Sequence, residues 1–197
     1  MEDPLTDISL EYIEDPDAVF PDVHARPLVV SSQLLLISSA AAFYVAAKRE
    51  VMIGFGVGAA LLFLYVTSVC HWHRPRFSSV ARLLDYAAVA IAIAVGSAAA
   101  VTATTPAWIA IWFTGLALIA AIFAVNETLF YVQVMKTPAG DDSSAGTAAE
   151  GLWGFLPTKP NTPERDWVYR RTSTIHLLLI HVLANALALA LILGGLR

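Results

Sequence analysis

The sequence predicts an all-α fold, a polytopic membrane helix bundle with about five transmembrane helices. The first observation is composition: 57% of the 197 residues are apolar and only 14% are charged, with a mean hydropathy of +0.65. Soluble globular domains carry roughly 45–50% apolar and about 25% charged residues, so a soluble fold is excluded. The second is a set of charge-free runs that supply five spans, the run at 87–126 being about twice the roughly 20 helical residues that cross a hydrocarbon core of about 30 Å. The third is that these runs are built from Ala, Leu, Ile and Val, as in helices rather than barrel strands. A lone cysteine, Cys70, rules out a disulfide scaffold. A net charge of −4 without a basic cluster argues against nucleic acid and leaves membrane lipids, or other membrane proteins, as partners.

The chain opens with an acidic tail, 1–27, that holds eight of the 16 acidic residues. It lacks the basic n-region of a signal peptide and belongs to the mature chain on this reading. It reads as solvated, although Ile8, Leu10, Tyr12, Ile13 and Phe20 could dock it onto the bundle at 28–197. The first span, 28–47, is closed by Lys48-Arg49-Glu50. The second, 51–70, is closed by His71-Trp72-His73-Arg74, and its Gly54, Gly56 and Gly58 permit close helix contact. Residues 87–126 carry no charge and break at Thr104-Thr105-Pro106. Thr is a good N-cap and Pro suits a first helical turn, so this is a hairpin with spans at 84–103 and 106–127. Cys70 reads as a buried small residue. Small residues along the third helix, Ala87 to Ala98, place it at the bundle centre.

The segment 136–171 is the long loop. Pro138 to Ser144 has flexible-linker composition, and Leu152, Trp153, Phe155 and Leu156 form an interfacial patch. Thr162-Pro163-Glu164 is a helix start, so the last helix begins outside the membrane, spans at 173–194 and stops at Gly194-Gly195. Tyr86, Trp108, Trp112, Trp153, Trp167 and Tyr169 read as aromatic-belt anchors.

Polar residues near the membrane are few: His71, His73, Asp85, Asn126, Glu127, His176, His181 and Asn185. Threading five spans brings the first six to the face that carries the N-terminus. His181 lies about 7.5 Å deeper than His176 at 1.5 Å per residue, and Asn185 follows one turn on. Ionisable residues at membrane depth are functional candidates. Imidazoles with a carboxylate suit zinc, and a catalytic zinc keeps three protein ligands and an open position; His71 or His73, Asp85, His176 and His181 are the set. Two histidines could instead hold a haem between helices, making an electron carrier. In the third reading the chain is a non-catalytic scaffold or a subunit of a membrane assembly, Asp85 pairs with Arg82, and His181 hydrogen-bonds across helices.

The stretch Thr67-Ser68-Val69-Cys70-His71, then Leu84-Asp85-Tyr86 opening the next span, then paired histidines in the last span, resembles the CREST superfamily. That group includes alkaline ceramidases, progestin/adipoQ receptors and hemolysin-III-like proteins. The resemblance implies a zinc site at His71, Asp85, His176 and His181, a hydroxyl at Thr67 or Ser68, and hydrolysis of lipid amides or esters. Three departures stand beside it. The family has seven spans; its serine lies four residues before the histidine, where this chain has Thr67; and its last pair is His-x-x-x-His, whereas this one is His176-x-x-x-x-His181. Five α-helical residues turn a side chain about 140° away, so both imidazoles reach one metal only if the helix is locally distorted, as by a π-bulge.

Charge sets the expected orientation. The N-terminal face receives nine of the 12 Lys and Arg residues: Arg26, Arg74, Arg76, Arg82, Lys136, Lys159, Arg165, Arg170 and Arg171. The other face receives Lys48, Arg49 and Arg197. Positive charge stays inside, so the N-terminus is expected on the cytosolic, matrix or stromal side and the C-terminus opposite. Reporter fusions at the two ends should report different compartments; the same compartment at both ends would refute the five-span count.

Overall fold

The structure is a computed structural model, and it describes residues 18–135, 158 and 162–197. The linker at Pro138 to Ser144, the patch at Leu152, Trp153, Phe155 and Leu156, and Ile8, Leu10, Tyr12 and Ile13 lie outside the described residues. Helix α1 is Asp22–Arg49, α2 Met52–His73, α3 Val80–Ala103 and α4 Pro106–Phe130, the last continuing as a π-helical segment at Tyr131–Met135. Helix α5 is Pro163–Gly195. It is α-helical at Pro163–Ile175 and Leu183–Ala190 and π-helical at His176–Val182 and Leu191–Gly195. All five are long and apolar enough to cross a bilayer. The protein is a multi-pass integral membrane protein with an all-α bundle.

The helix starts follow local chemistry. Thr162 Oγ1 accepts from Arg165 N and Ser79 Oγ from Arg82 N, and Pro163 and Pro106 stand in first turns. Thr105 is the N-cap residue of α4, but its side chain makes no capping bond. α1 starts at Asp22, before residue 28, because His24, Ala25 and Leu28 form a buried face that draws the charged stretch into the helix. Phe20 is therefore docked rather than solvated. It packs on Trp72, Phe130 and Tyr169, with ring centroids 5.9, 5.3 and 6.2 Å away.

That cluster joins the start of α1, the end of α2, the end of α4 and the first part of α5, so the helices alternate in direction. At the opposite face Leu35, Val45, Val57, Leu61, Ile192 and Leu196 form a second core. α1 and α5 run parallel and are bonded at intervals along their length. His24 Nε2 meets Asp166 Oδ1 at 2.8 Å, Ser31 Oγ meets His181 Nδ1 at 2.7 Å, and Ser38 Oγ donates to Asn185 Oδ1 at 2.9 Å. At the far end Arg49 donates to the carbonyls of Leu193 and Leu196, where a cation suits a helix C-terminus.

The centre of the bundle is α1, not α3. Along its apolar stretch 44% of α1 is buried, against 39% for α2, 28% for α3 and 6% for α4. Small size is shared by both helices, but α1 adds hydroxyls: Ser32 and Ser39 bond to Leu28 O and Gly58 O. The Ala87, Ala90, Ala94 and Ala98 face of α3 is exposed. Cys70 is also exposed, contrary to its reading as a buried residue. Trp112 and Tyr169 are buried rather than belt residues. Trp112 seats its ring where a Cβ on Gly96 would lie 2.6 Å away, and donates to Ser97 Oγ at 3.0 Å.

Glycines fix the α1–α2 approach. A Cβ at Gly54 would lie 2.9 Å from Ala46 Cβ and 3.3 Å from its Cα, whereas one at Gly56 would meet only Val95 at 3.6 Å. Gly54→Ala should cost about 1–3 kcal/mol through overpacking against backbone that cannot yield, while Gly56→Ala should be close to neutral. Thermal unfolding in detergent checks the pair; equal effects would refute the close-packed seam.

Candidate functional site

The site forms where α2, α3 and α5 meet near the N-terminal face. On α2, Thr67, Ser68 and His71 occupy one buried face because they are three and four residues apart. On α3, Asp85 sits one turn into the helix and is buried. Thr67 Oγ1 lies 3.1 Å from Leu64 O and 3.4 Å from Asp85 Oδ1, so its proton is shared between the two. Ser68 lies 3.3 Å from Ser32 Oγ of α1. Arg82 is not the partner of Asp85; it bonds to Tyr86 Oη and Phe77 O, because its side chain turns outward along the helix start.

α5 supplies the histidine pair. His176–Val182 is π-helical, so its backbone bonds close on the fifth residue and five residues make roughly one turn. The five-residue spacing that would separate the imidazoles in an α-helix therefore brings them together, with ring centroids 5.2 Å apart. Ser31 Oγ donates to Leu28 O at 3.0 Å, which leaves it the acceptor for His181 Nδ1–H at 2.7 Å and the lone pair on Nε2. Asn185 Nδ2 donates to His181 O at 2.8 Å.

All three imidazoles surround Trp72. Its ring centroid lies 4.5 Å from His71, 4.9 Å from His176 and 6.1 Å from His181. His73 is exposed and stands apart, so His71 is the member of that pair in the site. His71 Nδ1 and His176 Nδ1 are buried with no hydrogen-bond partner. A buried polar atom left unpaired costs about 1–3 kcal/mol, so these nitrogens are free to serve a ligand.

These donors suit zinc in kind. His71 and His176 offer unpaired ring nitrogens, and His181 is held by Ser31 through its other nitrogen, as a ligating histidine usually is. Among the described residues, however, no three His, Cys, Asp or Glu side chains converge as a closed cage. The imidazoles are neighbours through Trp72, and Asp85 is engaged by the Thr67 hydroxyl on the adjoining turn of α2.

Sequence reasoning missed several participants. Trp72 was hidden between the two histidines that flank it. Ser31, Ser32, Ser38 and Ser39 are all buried, and their signal was two serine pairs seven residues apart in an apolar helix. His24 was overlooked because its partner, Asp166, is remote in sequence. No protein-family model, curated protein or solved structure matches the chain.

Proposed function

We propose that the protein is a zinc-dependent hydrolase of lipid amides or esters, working at the membrane interface on the N-terminal, cytosolic face. The observation that carries this reading is the π-helical turn that places His176 and His181 side by side, against Trp72 and the face of α2 that presents His71. His71, His176 and His181 would hold the metal, with Asp85 beside them. Bound zinc would supply a Lewis acid and a water with its pKa lowered to about 7.

The chain's own groups supply the rest. The Asp85 carboxylate accepts a proton at an oxygen and passes it on as general base and acid. Thr67 holds that carboxylate through its hydroxyl, with Ser68 beside it on the same buried face of α2. Ser31 fixes the His181 ring. Trp72 and Phe20 pack around the cluster and keep bulk water from its N-terminal side. The open lipid-facing surfaces of α3 and α4 let an acyl chain lie alongside the site without leaving the bilayer.

Metal analysis of the purified protein should find zinc, and His71→Ala should lower it. Asp85→Asn should reduce hydrolysis of an N-acyl amide or acyl ester by about 10²–10⁴, the usual worth of a positioned acid–base group. A wild-type chain without metal, or zinc unchanged by His71→Ala and by Asp85→Ala, would overturn the reading and favour a non-catalytic membrane subunit.

A further inference from the structure

α4 and α5 run antiparallel, and two ring contacts mark the ends of their seam. Phe123 lies 6.2 Å from His176 and Phe130 lies 6.1 Å from Tyr169, centroid to centroid. Each interval is seven residues, two turns of helix. Midway on α4 is Asn126, three residues from Phe123 and four from Phe130, hence on the same face. Midway on α5 is Thr172, three residues from Tyr169 and four from His176. The two polar side chains thus face one seam, next to the histidine cluster.

Both are fully enclosed, Asn126 at 1% and Thr172 at 0% exposure. Yet Asn126 Nδ2, Asn126 Oδ1 and Thr172 Oγ1 have no hydrogen-bond partner. Other threonines of this bundle satisfy themselves: Thr102, Thr104 and Thr128 each donate to the carbonyl four residues back. Thr172 does not. Asn126 is also one of few buried residues on α4, a helix otherwise open to lipid. Unpaired buried donors and acceptors persist where a ligand completes them.

We infer that Asn126 and Thr172 form a headgroup subsite for an uncharged lipid head that carries both a donor and an acceptor, such as a hydroxyl or an amide. Asn126 presents one unmet donor and one unmet acceptor, and the Thr172 hydroxyl can act as either. Neither Asn126 nor Thr172 carries a charge that could pair with a charged head. Burying an unpaired charge at this depth is costly. That the bound lipid is also the hydrolysed one rests on the function proposed above; the binding itself does not.

The test uses the purified full chain in detergent and three ether lipids of one chain length, which a hydrolase does not cleave: a 1-alkylglycerol, an alkyl methyl ether and an alkyl phosphate. The wild type should bind the alkylglycerol about tenfold more tightly than either other lipid, the worth of about two hydrogen bonds. Asn126→Leu and Thr172→Val should each shrink that preference several-fold while leaving methyl ether binding unchanged. Without lipid, Asn126→Leu should unfold about 2–4 °C higher than wild type, since it removes an unsatisfied amide. A wild type without preference for the alkylglycerol, or variants that keep it, would overturn the subsite. If Asn126→Leu does not fold, Thr172→Val decides by the same comparison. Loss of preference in the variants of a chain that hydrolyses no lipid would sink the hydrolase reading and leave the subsite standing.

Discussion

Between His176 and Val182 the backbone of α5 closes its hydrogen bonds on the fifth residue instead of the fourth. That local widening decides which side chains can meet. In an unbroken α-helix, whichever of the two histidines faced Trp72, the other would point about 140° away. With the π turn, His176 packs on Trp72 and Phe123 while His181 reaches Ser31. The polar groups of α1, α2 and α5 come to one depth as a consequence. π turns are rare and concentrate at functional sites, which agrees with what this one assembles.

The seam between α1 and α5 holds the widened turn in place. Interhelical hydrogen bonds in membranes average about 0.6 kcal/mol and reach about 1.7, so no single one fixes the geometry. Their distribution does: His24 to Asp166 before the turn, Ser31 to His181 within it, Ser38 to Asn185 after it, and Arg49 to the carbonyls at the helix end. The register of α5 against α1 is pinned on both sides of the π segment. On α2, Trp72 meets this pair through ring contacts with His176 and His181.

Much of the fold was legible because a bilayer punishes charge and unpaired backbone: the charge-free runs marked the spans, and Thr162-Pro163 and Pro106 marked helix starts. The centre of the bundle was not legible. Alanines in α3 signalled close packing, but small residues suit a lipid face equally well, and the serines of α1 were what distinguished a buried helix. In the candidate site, Thr67, Ser68, His71 and Asp85 fell on facing helices as their spacing required. The histidines of α5 were the hard case, because spacing alone gives the α-helical answer. Nothing in His176-Leu177-Leu178-Leu179-Ile180-His181 announces a π turn; the partners that select it, Ser31 and Trp72, are far away in sequence.

Deleting Leu179, a lipid-exposed residue inside the widened turn, tests the account most directly. Removal of one residue lets α5 close as an α-helix with the histidines four apart and the residues beyond in unchanged register. This variant should keep the zinc content and thermal stability of the unaltered chain, whereas His181→Ala should lose zinc. A deletion variant that retains its fold but loses zinc as His181→Ala does would contradict the claim that the π turn serves to bring the two imidazoles onto one face.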